Sequence, residues 1–433
     1  MCQQELLLRA LHLRAELQLR RAMRLQEPQK CQAHRAQLIA HAVRELLQGP
    51  GRNTKVQVMR TSFLLGSAAP LFLMLGLAIP GPLRATLASE AVQDSAAVDR
   101  LSLPPPKAGR HRPLVVLLAD NAGTQTTDFS VPYGILKESG VAEVRSVSMR
   151  AGLVRMTRGL TIETDETVMD FDGREPTGAD VVIVPAQANP KDKAMAKWLR
   201  SQAAKGAVIM SICEGSRVLA NAGLLDGRHA ASHWSSIPSL AKSYPDTNWV
   251  RDRRYIQDGP IISTAGVTAS IPASLALVEA IGGHDAADTT ARKFGIAAWG
   301  SAHRTSDFAI GKADIAAVIA ARKGSQETSQ ISIADGVDEV ALALHVDAWG
   351  RTEHTRVVTA RSGRAAVRSR HGLVIVPDAE LAEGTHALQL TDQPAIAQFE
   401  GSLAEIERRY GAAAVRLVAL GMEYDFSRPA PQK

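Results

Sequence analysis

A cysteine in the middle of the chain lies between an apolar run and a glycine. Residues 208–215 read VIMSICEG, with Cys213 two residues after a small serine and two residues before Gly215. A small residue, a nucleophile and a glycine at this spacing are typical of a nucleophile elbow, which is a sharp turn from a strand into a helix. The helix N-terminus would favour thiolate and lower the pKa of the thiol. The spacing therefore predicts a nucleophilic Cys213, with a small buried core cysteine as the alternative.

The same turn would provide a site for negative charge. Backbone N–H groups at the start of a helix can bind the oxyanion that forms when a nucleophile attacks a carbonyl-like carbon. The N–H of Glu214, directly after the cysteine, is the first such donor. The turn therefore indicates addition chemistry at an electrophilic carbon.

Alternating strand and helix patterns surround the cysteine over residues 113–300. Short apolar runs rich in β-branched residues, such as LVVLLAD, DVVIVPA and VIMSI, alternate with helical segments. This alternation predicts an α/β fold, with a doubly wound, mostly parallel sheet of the flavodoxin-like type and helices on both faces.

Several segments of this region resemble a known family in their order and content. They are SICEG at 211–215, LANAGLLDGR at 219–228, His233-Trp234, Asp258-Gly259 and STAGVTA at 263–269. Over about residues 113–290 the chain is similar to the ThiJ/PfpI (DJ-one) superfamily, whose fold is that of class I glutamine amidotransferases. Within it, the chain resembles the sensor domain of GlxA-type transcription regulators and isonitrile hydratase. The resemblance implies that Cys213 lies at the family's elbow.

The resemblance also implies partners for the thiol. The family pairs its cysteine with an acid from the first strand–helix loop, and Asp128 stands at that position. A carboxyl there could act as a general acid/base or bind an oxidised cysteine, and helix N-capping is the alternative. His233 matches the family's His-Trp pair, as a catalytic residue near the thiol or as a buried structural histidine.

Two positions depart from the family pattern. Glu214 follows the cysteine, where PfpI-type proteases carry histidine and isonitrile-hydratase-like members carry a hydroxyl residue. An inward-facing carboxylate there would disfavour thiolate. Ala186, in Pro185-Ala186-Gln187, stands where many relatives have two glycines, and its N–H is the candidate second oxyanion donor. Protease and amidotransferase activities are therefore not expected.

Two classes of function remain. The first is a cysteine-dependent hydrolase or hydratase acting on a small amide, nitrile-like or carbonyl substrate, with Cys213 as nucleophile and Asp128 as general acid/base. The second is a non-catalytic ligand-binding or redox-sensing domain on the same fold, because fold alone does not determine function. Either function would involve a small molecule as the partner.

The N-terminal region has a different composition. Residues 1–60 hold eleven basic and four acidic residues, and residues 61–83 carry no charge. A run of about 20 apolar residues can span a bilayer, so a basic helical arm followed by a single-pass anchor is predicted, with the main domain extracytoplasmic. The alternative is a secretory signal that starts at Met59 and is cleaved near Ala88, so that residues 1–58, nearly all of the 1–60 arm, are not translated and the protein is secreted. Residues 84–112 are predicted to be a linker.

The C-terminal region resembles the start of the central domain. The segment DGVDEVALALHVDAWG parallels TTDFSVPYGILKESG and aligns Asp338 with Asp128 at an offset of 210; two further matches give offsets of 211 and 213. Near-constant offsets indicate an internal duplication, with chance similarity of βαβ units as the alternative. Residues 331–433 are thus a degenerate partial repeat without the cysteine, joined by a connector at 301–330. An intrachain pseudo-dimer or a homodimer is expected.

Composition excludes several other classes of protein. Three cysteines in 433 residues exclude a disulfide scaffold, and 4% aromatic residues disfavour a nucleic-acid binder that stacks bases. The charge outside residues 1–60 is close to neutral and no helix-turn-helix segment is evident, so no nucleic-acid partner is expected. Histidines do not lie with cysteines or acids at metal-ligand spacings, and no glycine-rich phosphate loop occurs. The sequence predicts neither a metal nor a cofactor.

Overall fold

The computed structural model describes residues 100–324, 326–382 and 386–425. These residues belong to one compact unit, Ile79–Lys433. The predicted basic arm and the predicted anchor at 61–83 lie outside the described residues. Among the helices that are described, none has both the length and the apolar composition that crossing a bilayer requires.

Strands and helices alternate along the described chain. The strands are β1 (Leu114–Ala119), β2 (Glu143–Ser148), β3 (Val154–Arg155), β4 (Thr161–Glu163), β5 (Glu166–Thr167), β6 (Val181–Val184), β7 (Val208–Ser211), β8 (His229–Ala230), β9 (Asn248–Trp249), β10 (Tyr255–Asp258), β11 (Ile261–Thr264), β12 (Glu327–Ser332), β13 (Thr355–Arg361), β14 (Val367–Arg368), β15 (Val374–Ile375), β16 (Ala379–Glu380) and β17 (His386–Leu388). The α-helices are α1 (Thr126–Ser139), α2 (Val168–Arg174), α3 (Lys193–Ala204), α4 (Gly215–Asn221), α5 (Ile237–Ser243), α6 (Ser270–Gly282), α7 (His284–Lys293), α8 (Lys312–Lys323), α9 (Glu339–Gly350), α10 (Ala395–Tyr410) and α11 (Ala412–Met422).

A seven-stranded sheet forms the centre of the first half, in the order β10-β11-β7-β6-β1-β2-β5. Its pairs are parallel except for β10–β11. The central strand β1 is buried along its whole length, because helices cover both faces. Val115 and Leu117 belong to one hydrophobic cluster, and Leu114 and Val116 belong to the other. The predicted doubly wound, mostly parallel α/β sheet is therefore confirmed.

A second parallel sheet, in the order β16-β13-β12-β17, forms the centre of the C-terminal half. Its register follows that of the first sheet. Val147 of β2 pairs with Glu166 of β5, and Ala360 of β13 pairs with Ala379 of β16. Each residue of the second pair follows its counterpart in the first pair by 213 positions. The two halves therefore use the same strand order around corresponding residues.

The two halves are joined by a small antiparallel sheet in the order β14-β15-β4-β3. Ile375 of β15 lies opposite Ile162 of β4, and these residues are also 213 apart, so the pairing is symmetric. Helices α1 and α9 pack beside it. A Cβ atom on Gly134 would lie 2.4 Å from Cγ2 of Val340, so the absence of a side chain allows this close approach.

The structure describes residues 100–112 of the predicted linker at 84–112, which form neither a helix nor a strand but are held by hydrogen bonds. The backbone N–H of Lys107 donates to Oδ1 of Asp180 at 2.8 Å, and Nη1 of Arg110 donates to Oδ2 of the same carboxylate at 2.8 Å. Arg110 also pairs with Glu175. A mostly buried carboxylate needs such donors, so this segment is held against the start of β6.

The predicted connector at 301–330 overlaps two elements of the structure. It contains α8, and the first strand of the second sheet already begins at Glu327. Arg416 of α11 donates to Asp314 of α8 at 2.7 Å, so α8 packs on the C-terminal half. Polar residues in β12, such as Thr328 and Gln330, concealed this strand from a reading of apolar runs.

Candidate active site at the Cys213 elbow

Cys213 lies in a strained turn between β7 and α4. Its φ is 56°, a left-handed value that costs a residue with a side chain roughly 1–2 kcal/mol. The turn is fixed by a hydrogen bond of 3.0 Å from the N–H of Cys213 to Oγ1 of Thr264. A Cβ atom on Gly215 would lie 2.0 Å from the carbonyl oxygen of Val184, so only glycine fits there. This backbone has the geometry of a nucleophile elbow.

The thiol itself is enclosed, since Cys213 is only 5% exposed. Burial raises the pKa of the thiol well above its usual range, and the carboxyl groups of Asp128 and Glu214 raise it further when they are ionised. A backbone hydrogen bond from Glu214 acts in the opposite direction but is outweighed. The prediction that the helix N-terminus lowers this pKa is therefore wrong, because desolvation dominates over the field of a helix only two turns long.

Asp128 lies in the first turn of α1 and is completely buried. The helix N-cap is Gln125, whose Oε1 accepts the N–H of Asp128 at 2.7 Å, so Asp128 is not the cap. Burial raises the pKa of Asp128 well above its usual range, and the charge of Asp347 adds to this shift. Its Oδ1 has no hydrogen-bond partner within the described residues. Burial therefore favours the protonated form of this carboxyl, one oxygen of which is unpaired.

The second candidate oxyanion donor is already engaged. The N–H of Ala186, at the end of β6, donates to Oδ2 of Asp128 at 3.1 Å. The carbonyl of Ala186 accepts the N–H of Gln125 at 2.9 Å, which fixes this peptide against the start of α1. The N–H of Ala186 would reach a substrate only if the Asp128 carboxyl moved.

The Glu214 side chain turns toward α5 and α4. Its Oε1 accepts hydrogen bonds from the hydroxyl of Ser236 and, at 3.1 Å, from Nη2 of Arg217. Burial alone would raise its pKa, but these two donors hold the pKa of Glu214 below its usual range. Glu214 is therefore ionised and affects the thiol through its charge.

His233 lies close to this site without a described hydrogen bond to the thiol. Its Nδ1 lies 2.8 Å from Oγ of Ser235, and the backbone of Gly421 bonds the ring. Burial lowers the pKa of His233, while the charge of Glu423 opposes that shift. The imidazole is thus neutral near pH 7 and held by neighbours other than Cys213.

The C-terminal half contributes charged residues that the sequence analysis missed. Arg351 donates from Nε to Oδ1 of Asp347 at 2.9 Å. Asp347 in turn accepts from Nε2 of Gln125 at 2.5 Å and from Oγ1 of Thr127 at 2.8 Å. The charge of Arg351 interacts with Cys213. The signal available in the sequence was an acid and a base four residues apart in an otherwise apolar helix.

Glu423, just after α11, also reaches the site. Its Oε2 accepts the N–H groups of Gly266 at 2.6 Å and Trp234 at 3.2 Å. Its Oε1 lies 2.7 Å from Nε2 of His303. Both Trp234 and Gly266 belong to segments that carried the family resemblance, whereas nothing in the sequence marked Glu423.

The described residues around the thiol form no metal-ligand cluster, and two grooves lie away from it. No group of three or more histidine, cysteine or acidic residues is arranged to hold a metal ion in the part of the chain that the structure describes. One groove lies beside Gly206 and Gln257 and another beside His111 and Asp180. Cys213 lines neither of them.

Comparisons with known proteins agree with this geometry. The sequence profile of the DJ-1/PfpI family matches residues 113–280. Isonitrile hydratase from Pseudomonas putida is 32% identical over 170 residues, which are 38% of this chain and 70% of that protein. The HTH-type transcriptional regulator CdhR from Pseudomonas aeruginosa is 36% identical over 136 residues, or 30% of this chain. The match spans only 38% of that regulator.

Among solved structures, the crystal structure of Drosophila melanogaster DJ-1beta aligns with 43% of this chain and 100% of that chain. Its sequence identity is 21% and its TM-score is 0.39. The family assignment therefore depends on the sequence matches, of which the isonitrile hydratase match exceeds 30% identity over more than two thirds of that protein. The chain belongs to the DJ-1/PfpI family and is related to isonitrile hydratase and to GlxA-type regulators.

Proposed function

We propose that the chain is a cysteine-dependent hydrolase or hydratase acting on a small amide, nitrile-like or carbonyl substrate. The observation that carries this proposal is the pairing of Cys213, on its strained turn, with a buried and neutral Asp128 carboxyl. Asp128 is the side chain whose charge would affect the thiol most. Groups coupled in this way in a buried site are typical of acid–base catalysis.

In the proposed resting state the Cys213 thiol and the Asp128 carboxyl are both protonated, so that one proton can be donated while the other is accepted. The sulfur forms a bond to the electrophilic carbon as one π bond from that carbon to its nitrogen or oxygen breaks. Asp128 gives its proton to that heteroatom and takes the proton of the thiol, so no net charge develops. With an amide, the C–N bond then breaks as the C=O bond re-forms, and Asp128 carries the hydroxyl proton to the departing amine, which leaves a thioester. With a nitrile or a carbonyl compound no group leaves at this stage. Water then attacks the same carbon, the S–C bond breaks, one proton of the water returns to the thiol, and the other stays on the product.

The backbone would stabilise charge during these steps. The N–H of Glu214 faces the sulfur, and the N–H of Ala186 becomes available when the Asp128 carboxyl turns toward the substrate. His233 is neutral and bonded to Ser235, so in this mechanism it shapes the site and does not transfer the proton.

The test is a substrate screen on the full chain carrying Cys2→Ser and Cys31→Ser, which leaves Cys213 as its only thiol. Small isonitriles, nitriles, amides and α-oxo aldehydes are incubated with the protein, and products are followed by NMR. We expect turnover of one class, loss of turnover in Cys213→Ala, and a fall of at least about 100-fold in Asp128→Asn. Turnover that survives Cys213→Ala, or no turnover in any class, would contradict the proposal.

A non-catalytic ligand-binding or redox-sensing role is the second candidate, and the enclosed, protonated thiol favours it. Such a thiol is a poor nucleophile toward solutes until a ligand or an oxidant reaches it. Ligand binding by calorimetry without turnover, or conversion of Cys213 to a sulfinic acid by low concentrations of peroxide, would support this role. Mass spectrometry of the tryptic peptide that contains Cys213 distinguishes oxidation of the thiol from ligand binding.

We further propose that the C-terminal half takes the place of a second subunit. The symmetric pairing of Ile162 with Ile375 and the packing of α1 on α9 support an intrachain pair. Sedimentation of residues 100–433 at micromolar concentration should give a monomer. A stable dimer under these conditions would indicate that a second copy, and not the internal half, is the partner.

Membrane attachment through residues 61–83 is a separate proposal, supported by the uncharged run alone. The full chain expressed in bacteria should remain in the membrane fraction after washing at alkaline pH, and a tag at residue 433 should be accessible from outside the cytoplasm. Recovery of a soluble protein beginning near Ala88 would favour the cleaved signal instead.

A further inference from the structure

Glu423 occupies a backbone position that favours glycine. The helix pairs α6–α7 and α10–α11 correspond at an offset of 128, as Gly283 and Gly411 show with φ values of 85° and 81°. At the same offset, Gly295 after α7 has φ 77° and Glu423 after α11 has φ 54°. A left-handed conformation is free of strain for glycine but not for glutamate. Strain of this kind persists where the surrounding structure holds it, often at functional sites.

The packing around the residue that follows α7 differs from the packing around the residue that follows α11. A Cβ atom on Gly295 would lie 2.9 Å from Cβ of Pro394, and a Cβ atom on Gly266 would lie 2.3 Å from Oε2 of Glu423. Pro394 and Gly266 are themselves 128 residues apart. The turn after α7 therefore places Gly295 against Pro394, whereas the turn after α11 places Glu423 against Gly266. The Glu423 carboxyl fills the space that a side chain at Gly266 would need.

N–H groups from two loops of the first half and a histidine ring from a third segment converge on the Glu423 carboxyl. They are the N–H groups of Gly266 and Trp234, at 2.6 and 3.2 Å, and the ring of His303 at 2.7 Å. The hydroxyl of Thr268 also donates to the carbonyl of Glu423 at 2.8 Å. The carboxyl is almost completely buried, with 2% of the side chain exposed.

These loops are the ones that position the elbow. Trp234 directly follows His233, and Gly266 follows β11, whose Thr264 hydroxyl accepts the N–H of Cys213. Glu423 therefore ties the loop of His233 to the loop that fixes the backbone of the nucleophile. We propose that Glu423, supplied by the C-terminal half, is a positioning residue of the Cys213 site, so that the degenerate half is part of this site.

This inference depends on Cys213 being the working residue of the proposed function. The groups whose charges reach the thiol are Asp128, Glu214, Glu423 and Arg351. The groups that face Glu423 include His303 and His233. Because Glu423 brings a negative charge toward the thiol, its removal should make the thiolate easier to form.

The experiment measures iodoacetamide labelling of Cys213 against pH in the full single-thiol chain. Glu423→Gln keeps the shape of the side chain and can still accept the two backbone N–H groups, but removes the charge. We expect its labelling at pH 8 to be about threefold faster than that of the unchanged protein, with the profile moved to lower pH. Glu423→Gly relieves the backbone strain but removes the carboxyl that links the two loops. Cys213 in this variant should be labelled about tenfold faster at every pH.

Glu400→Gln is the matched control, because Glu400 is exposed and accepts only the hydroxyl of Tyr424 among its described hydrogen bonds. Urea unfolding of each variant separates loss of structure from a change at the site. Glu423 variants whose labelling profiles coincide with that of Glu400→Gln would overturn the inference, whatever their stability. A shifted profile together with an absence of turnover in the unchanged protein would leave the inference standing and contradict only the proposed enzyme.

Discussion

The backbone N–H of Ala186 donates to Oδ2 of Asp128 at 3.1 Å, while the other oxygen of that carboxyl has no partner among the described residues. One candidate oxyanion donor is therefore occupied by the candidate proton carrier. Any group that accepts the Ala186 N–H in place of Asp128 must therefore displace the carboxyl. The two groups are thus coupled in any reaction at this site.

The raised pKa of Asp128 predicts a specific dependence of stability on pH. The folded chain keeps a proton that the unfolded chain loses above the ordinary value of 3.8. The stability from this group is fully present below about pH 4 and is lost as the pH rises toward the folded pKa. Asp128→Asn, which cannot titrate, should therefore gain free energy of unfolding relative to the unchanged protein between about pH 4 and pH 8. Urea unfolding measures this difference.

Asp246→Asn is the control for that experiment, because Asp246 is exposed. Its free energy of unfolding should follow that of the unchanged protein at each pH. If Asp128→Asn follows it as well, Asp128 is ionised in the folded chain and the proposed acid–base role loses its basis.

His345 should give a dependence of stability on pH opposite to that of Asp128. It is buried between α9 and α10, where its Nδ1 lies 2.7 Å from Oγ of Ser402, and burial lowers its pKa to about 4. The folded chain keeps the imidazole neutral while the unfolded chain binds a proton below 6.5. Stability is full above that value and falls by roughly 3 kcal/mol as the pH drops toward 4. His345→Gln should show a smaller fall in thermal or urea unfolding.

The exposed His111 provides the comparison for His345. His111→Gln should lose stability in acid to the same extent as the unchanged protein. An acid-induced loss in His345→Gln equal to that of His111→Gln would assign the loss to other groups.

Gly215 should not tolerate a side chain. A Cβ atom there would lie 2.0 Å from the carbonyl oxygen of Val184, and backbone cannot move away cheaply. Gly215→Ala should lower the free energy of unfolding by about 3 kcal/mol and disturb the elbow. Gly173→Ala, in α2 where nothing lies within 4 Å, should be neutral or stabilising by about 0.5–1 kcal/mol. Equal effects in the two variants would contradict the close contact at the elbow.

Asp347 and Arg351 form a buried pair that is sensitive to the loss of one member. Arg351→Gln leaves the Asp347 carboxylate with Gln125, Thr127 and the weaker ion pair with Arg158, whose Nη1 lies 3.8 Å from Oδ1, and should cost about 3 kcal/mol or more. The double variant with Asp347→Asn should recover a large part of that loss, because no buried charge remains unpaired. A double-mutant cycle of unfolding free energies measures the coupling, and additive losses would refute it.

The sequence by itself determined the first sheet and the elbow. Apolar β-branched runs form strands wherever they can be covered on both faces, and SICEG carries the small residues that a tight strand-to-helix turn requires, with Gly215 fitting against Val184 of the neighbouring strand. The family resemblance could also be recognised from the sequence, because its motifs occur in order along the chain. The strand β12 escaped notice because its polar residues do not show the apolar run of a buried strand.

Tertiary structure decided the chemistry of the site. The predicted helix effect on Cys213 is local, but desolvation of the thiol depends on distant segments that close over it, and burial outweighs a short helix. The engagement of Ala186 by Asp128 joins residues 58 apart, and Glu423 reaches Gly266 across 157 residues. Sequence spacing encodes contacts along one helix or turn, whereas the electrostatics of a buried site depend on which remote groups exclude water from it.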